Sequence, residues 1–176
     1  IDWGVHFLDL ILYALGFPKV KTVSADTSGL LGKDMKAYTY KNMWAGPPDY
    51  NGTFDVDDYV SGHIRTDVGA AITFVGAWAQ NIGEEEMFID FMGDKAGIRM
   101  DYYGAFTEYR GENGVLEKIN ADFDRPPMHN TETVRFFEAL KTGEKTRNYV
   151  DNVLETMRLL DAVYESADKK REVVLK

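Results

Sequence analysis

Cysteine is absent from this sequence of 176 residues. Disulfide staples, thiolate nucleophiles and cysteine-based metal sites are excluded at once, and a reducing cytoplasm is the compatible and expected location. Basic residues are scarce: 20 Lys and Arg stand against 29 Asp and Glu, a formal net charge of -9. No cluster of Lys or Arg is dense enough to track a phosphate backbone or an anionic membrane surface, so neither nucleic acid nor membrane is expected as a partner. Long apolar runs are missing too. The most apolar stretch is the opening one, and Asp9 interrupts it, leaving it too short and too polar to span a bilayer. It also lacks a basic flank of the kind a signal peptide carries. There is no Gly-x-Ser-x-Gly elbow, no Gly-x-Gly-x-x-Gly and no P-loop, so a serine nucleophile and the usual phosphate cradles are absent from the chain.

What is present is a globular composition, 44% hydrophobic, at a length that suggests a single domain over residues 1–176. The first residues, IDWGVHFLDLILYALGF, start with Ile and are already inside an amphipathic pattern. The chain therefore reads as a piece of a longer polypeptide. At about 100° per residue, Asp2, His6, Asp9 and Tyr13 fall in one narrow arc of a helix, while Val5, Leu8, Leu12 and Leu15 gather opposite. The remaining apolar residues suggest a helix buried on most sides, with one polar ribbon. Charge is costly to bury unless it is paired or used. The ribbon is then either a core histidine clamped by two aspartates, a solvated stripe, or a site.

Three chemistries compete for the ribbon. A metal would take Asp2, His6 and Asp9 from one helix and need further ligands from elsewhere. The other histidines offer little, since His63 lies in a strand pattern and His129 just before a helix. No metal is expected. Nucleophilic catalysis fares worse, with neither a cysteine nor a Gly-x-Ser-x-Gly elbow. General acid–base work fits best: imidazole titrates near neutrality, and a carboxylate one turn away can orient the ring.

Gly16 and Pro18 stop the first helix, and KVKTVSADTSGLL reads as a strand. Residues 32–58 show no sustained period, and the aromatic residues Tyr38, Tyr40, Trp44, Tyr50 and Phe54 argue against simple disorder there. Three hairpins follow, turning at 67–69, 94–95 and 112–114. Two helices come next. One is capped by Asn130 or Thr131 and stopped at Gly143. The other spans 149–170, with Val150, Val153, Leu154, Met157, Leu160 and Val163 near one face. EVVLK reads as a final short strand. The fold class is α+β: an open, predominantly antiparallel sheet of about six to eight strands carrying an N-terminal helix and two C-terminal helices. Ile72, Phe74 and Trp78 on one phase of a strand and Val75 on the other suggest a sheet apolar on both faces, and hence a homo-oligomer through the sheet.

The opening stretch, with Asp2, Gly4, His6, Asp9, Gly16 and Pro18 in order, resembles the catalytic helix of the glucose–fructose oxidoreductase/inositol dehydrogenase (Gfo/Idh/MocA) family at the start of its C-terminal domain. DVDDYVSGHIRTDVGAAITFVGAWAQN, FMGDKAGIRM and the closing helix pair are similar to later parts of that domain. The likeness covers nearly the whole chain except residues 33–53. It implies an enzyme that oxidises a hydroxyl of a sugar, cyclitol or related polyol by hydride transfer to NAD or NADP, the cofactor held mainly by an N-terminal Rossmann domain that this chain lacks. It implies His6 as acid/base, Asp2 as its orienting or substrate-holding partner, and Asp9 as a weaker, substrate-binding member. The family's Glu-Lys-Pro motif is not here, since LEKIN and GEKTR do not match it. By itself, then, this chain is expected to be inactive. The alternatives are a ligand sensor that has lost turnover, or an oligomerisation module of the same fold.

Overall fold

A computed structural model describes residues 2–34, 47, 49–124 and 126–176. The order of elements is α1 (Asp2–Leu15), β1 (Val20–Ser28), β2 (Tyr59–Thr66), β3 (Ala71–Ala77), β4 (Phe88–Met92), β5 (Gly97–Asp101), β6 (Phe106–Glu112), β7 (Val115–Asn120), α2 (Met128–Thr142), α3 (Val150–Lys169) and β8 (Val173–Val174). The fold is α+β and every strand pairing is antiparallel, as the hairpin series suggests. The strands form two four-stranded sheets, not one: β3-β2-β1-β8 and β4-β5-β6-β7. The chain correspondingly divides into two compact units, Ile1–Asn81 with Arg147–Lys176, and Ile82–Thr146.

In the first unit, α3 lies along β1, and α1 packs on α3. Leu8 and Leu12 of α1, Val20 and Val23 of β1, Ile64 of β2 and Leu159 of α3 are buried together as the core. Alternation along β3 decides its two faces: Ile72 is buried and Phe74 half-buried, while Val75 is 71% exposed. Gly62 of β2 has no side chain because the Phe74 ring crosses it. A Cβ there would stand 2.6 Å from Phe74 Cζ and 2.8 Å from the Ser24 carbonyl oxygen, closer than packing allows.

The buried face of α3 matches the one the apolar pattern suggests only in its second half, where Leu160 and Val163 are buried. Val150 (59%), Leu154 (53%) and Met157 (48%) are exposed, and the buried side includes Glu155, Thr156 and Ser166 beside Leu159 and Val163. Each of those polar groups has a partner that makes its burial tolerable. Glu155 accepts the Val20 N–H at 2.8 Å, Thr156 donates to Asp9 at 2.6 Å, and Ser166 accepts the Ala25 N–H at 2.9 Å while donating to the Arg171 carbonyl at 2.7 Å. Further along α3, Tyr164 donates to Asp57 Oδ1 at 2.7 Å. Burial first, then this bond and the carboxylate's charge, pushes the phenol well above its ordinary range.

In the second unit the cross-strand register sorts side chains by face. Ile89, Met100 and Phe106 stand in one row, Phe91, Ile98, Glu108 and Ile119 in the next, all on the same face. The opposite face is mixed, with Phe88, Met92 and Leu116 among polar residues. Arg99 donates to both oxygens of Asp90, at 2.7 and 2.6 Å, its guanidinium 4.2 Å from the centre of the Phe88 ring, and Thr107 donates to Asn120 at 3.0 Å. Helix α2 begins at Met128, after Pro127 in an extended conformation, without a side-chain cap. The expected caps Asn130 and Thr131 thus lie inside its first turn, because the fixed φ of Pro127 already sets the chain to enter a helix. Gly143 ends it as expected, left-handed at φ 71°. Helix α2 buries no residue, so of the two C-terminal helices α3 is the one that covers a sheet.

Candidate functional site

The ribbon of α1 is real as a helical arc, but its members differ in environment. The helix ends where Gly16 and Phe17 both turn left-handed (φ 84° and 56°), the Phe17 N–H reaching back to the Leu12 carbonyl at 2.7 Å. This end is fixed further by Arg147. Its guanidinium lies 4.6 Å from the centre of the Tyr13 ring, and one of its N–H groups reaches the Ala14 carbonyl at 3.4 Å. Tyr13 also meets Phe17 edge to face, with ring centres 6.1 Å apart.

Asp2 and His6 sit on the solvent side of the first two turns, both exposed. Among the described residues neither side chain has a hydrogen-bond or ion-pair partner. Their i, i+4 spacing stacks them on one face at about 5–6 Å between Cβ atoms. Asp9 sits on the shoulder of the helix, half-buried, and its Oδ1 accepts the Thr156 hydroxyl. The structure therefore puts Asp2 and His6 together facing outwards, and turns Asp9 partly inwards against α3.

The expectation of a helix buried on most sides is corrected here. Leu8 and Leu12 are buried, but Trp3 is 42% and Leu10 40% exposed, both on one side of His6 by the helical period. The reason is that α3 covers the side of Leu8 and Leu12 and reaches round only as far as Asp9. An exposed imidazole bordered by exposed apolar side chains is a chemical surface. A histidine satisfied within the core would be buried, and this one is exposed.

The other histidines are carried by other elements. His63, on β2, has Nδ1 3.2 Å from Thr73 Oγ1. His129 is inside α2, exposed, with Glu132 3.9 Å away. Among the described residues no three His, Asp or Glu side chains gather in a way that could hold a metal ion, and no helix is long and apolar enough to cross a membrane. Tyr38, Tyr40 and Trp44 of the 33–53 segment lie outside the described residues. Tyr50 is exposed, and Phe54, just after that segment, leans on Trp78 with ring centres 5.8 Å apart.

Two residues that pattern reading passes over shape this helix and its support. Thr156 is 1% exposed and holds Asp9; Glu155 is 2% exposed and takes the Val20 N–H, Lys19 at 3.1 Å and Arg158 at 3.1 Å. The one signal in the sequence is their position, three and four residues before Leu159 and Leu160 on the apolar side of α3.

Comparison with known proteins follows the same lines. The family model described as the oxidoreductase family, C-terminal alpha/beta domain, matches residues 1–175. D-glucoside 3-dehydrogenase of Escherichia coli (strain K12) is 33% identical over 179 residues, covering 99% of this chain and 48% of that protein. Among solved structures, aldose-aldose oxidoreductase from Caulobacter crescentus, complexed with glycerol, is similar with a TM-score of 0.70 at 18% identity, covering 98% of this chain and 46% of that one. A levoglucosan dehydrogenase in complex with NADH and levoglucosan gives a TM-score of 0.70 at 18% identity, covering 99% and 49%. These structures share the fold, and this chain spans about half the length of each relative. The chain belongs to the Gfo/Idh/MocA oxidoreductase family, as its C-terminal alpha/beta domain.

Proposed function

We propose that this chain is the substrate and catalytic domain of an NAD- or NADP-dependent dehydrogenase acting on a hydroxyl of a sugar, cyclitol or related polyol, with His6 as acid/base. The observation that carries the reading is the exposed His6 beside Asp2, without a partner among the described residues, on a helix whose whole domain matches an oxidoreductase family. The 33% identity to a D-glucoside 3-dehydrogenase supports a sugar-type substrate.

Oxidation of a secondary alcohol to a ketone breaks a C–H and an O–H bond. Bound nicotinamide supplies the acceptor for the hydride. The proton is this chain's task. An imidazole nitrogen of His6 accepts it as the C=O bond forms and returns it in the reverse direction. Asp2, one turn earlier, orients the ring through its N–H or accepts a neighbouring hydroxyl of the substrate. Asp9 keeps one carboxylate oxygen for Thr156, and its other oxygen is the one a substrate hydroxyl would meet. Trp3 and Leu10 supply apolar surface beside the reacting group, where excluding water strengthens these polar contacts.

The cofactor's phosphates are not held by these residues. Helices α2 and α3 follow Pro127 and Tyr149, not a glycine-rich turn, so neither helix start offers the close backbone approach a pyrophosphate needs. NAD or NADP is held mainly by a nucleotide-binding domain outside residues 1–176, in a protein of the cytoplasm. Full-length protein should reduce NAD or NADP in the presence of D-glucosides, aldoses or inositols. Residues 1–176 alone should neither turn over nor bind NAD with micromolar affinity by calorimetry. Tight binding to this fragment would contradict the division of labour, and no turnover of any such substrate by full-length protein would contradict the function.

The same reading includes a homo-oligomer assembled through sheet faces. Val75 stands exposed on the face of the first sheet turned away from α3, and Met92 is 91% exposed at the end of β4. A sheet with apolar residues on both faces is stable when both are covered. Light scattering should report at least a dimer, and a monomer at high concentration would rule this out.

A further inference from the structure

Among the described residues, helix α1 is joined to α3 by one part-buried side-chain hydrogen bond, and that contact lies one turn from His6. Thr156 Oγ1 donates to Asp9 Oδ1 at 2.6 Å. Thr156 is 1% exposed, and its hydroxyl has no access to bulk water in exchange. The rest of the interface between α1 and α3 is apolar, centred on Leu8, Leu12 and Leu159. Apolar packing is non-directional, so it tolerates a small rotation of a helix about its own axis. A short hydrogen bond to a charged acceptor does not, because its strength falls steeply with distance and angle. Asp9 follows His6 by three residues, about 60° round the helix by the 100° period. Fixing Asp9 against α3 therefore fixes the direction in which His6 points. Arg147 holds the far end of the same helix, at Tyr13 and the Ala14 carbonyl, so rotation is resisted at two places.

We infer that Thr156 is a positioning residue for the acid/base: through Asp9 it sets the rotation of α1, and so the aim of the His6 imidazole. This rests on the reading of His6 as acid/base. A base displaced by a fraction of an ångström loses its near-attack geometry without losing substrate affinity. The role is therefore expressed in kcat more than in KM.

The test uses full-length enzyme oxidising methyl D-glucoside with NAD. Thr156→Val keeps the shape and removes the hydroxyl. It should lower kcat by about tenfold or more with KM near wild type. Thr156→Ser should restore kcat, because it returns the donor. In a His6→Ala background, Thr156→Val should cost nothing further, since the group it aims is gone. Hydrogen exchange of α1 amides should quicken in Thr156→Val while that of the β2–β3 amides is unchanged, which separates a loosened helix from a misfolded domain. Wild-type kcat in Thr156→Val, or an equal loss with and without His6, would overturn the positioning role alone. Wild-type activity in His6→Ala, or no turnover of any D-glucoside, aldose or inositol by the wild-type enzyme, would overturn the acid/base reading and this role with it.

Discussion

Replacing His6 by Ala in the full-length enzyme should lower kcat by about 10²–10⁴-fold, the usual size of lost general acid–base catalysis. An alcohol proton leaves poorly at neutral pH, and without the imidazole only water remains to take it. KM should change little, because His6 contributes to the reacting centre and not to the bulk of the sugar contacts. Stability should be nearly untouched: the side chain is exposed and makes no hydrogen bond among the described residues, and such surface changes cost within about 0.5 kcal/mol. That combination, a large loss of turnover with unchanged melting, is the signature of a residue kept for chemistry. Asp2→Asn keeps the shape and removes the charge, and should slow the reaction by a smaller factor. Steady-state kinetics beside a thermal melt decide it, and wild-type kcat in His6→Ala would make the ribbon structural.

The largest effect on stability is expected at Glu155. Its carboxylate is 2% exposed yet accepts three donors: the Val20 N–H at 2.8 Å, Lys19 Nζ at 3.1 Å and Arg158 at 3.1 Å. Burial by itself pushes the carboxyl up. The Val20 hydrogen bond, then Lys19 and Arg158, outweigh burial and hold it below its ordinary value. Glu155→Ala strands the Val20 N–H at the start of β1 and leaves a void under α3. Lys19 and Arg158 are 60% and 43% exposed and can return to water, so the cost stays below that of orphaning two buried charges, at about 2–3 kcal/mol. The pH dependence has a definite sign. A carboxyl with a lowered folded pKa stabilises fully above its unfolded value, about 4.3. That contribution is lost as pH falls through the folded pKa. Urea unfolding at neutral and at acid pH should show wild type losing part of its advantage over Glu155→Gln in acid. An advantage independent of pH would show that the charge is not what matters.

Most of the helices and strands were legible in the sequence because their signals are local. The hairpins turn where the sequence has Asp-Val-Gly, Asp-Lys and Glu-Asn-Gly. Gly143 ends α2 because a left-handed residue is needed there, and Gly supplies it without steric cost. The Asp2–His6 pair was legible for the same reason: an i, i+4 spacing is a statement about one helix alone. The start of α2 was misread because Asn130 and Thr131 look like caps, while Pro127 had already begun the turn.

The sequence by itself determined that the class is α+β with antiparallel hairpins, that no cysteine or phosphate-loop chemistry occurs in this chain, and that one helix carries Asp2 and His6 on a common face. These follow from periodicity, turn chemistry and composition, each contained in a few neighbouring residues. The tertiary structure decided what depends on distant partners. Val20 reaches Glu155 across 135 residues, Ala25 reaches Ser166 across 141, and Thr156 reaches Asp9 across 147. Those contacts let Glu155, Thr156 and Ser166 join Leu160 and Val163 on the buried face of α3 while Val150, Leu154 and Met157 stay exposed, because a polar group with a partner can be buried and an apolar one at the rim can stay wet. They also separate Asp9, tied to α3, from His6, left open to solvent. The sorting of eight strands into two sheets of four is decided at the same level, since a strand carries its own alternation but not the identity of the edge it will pair with.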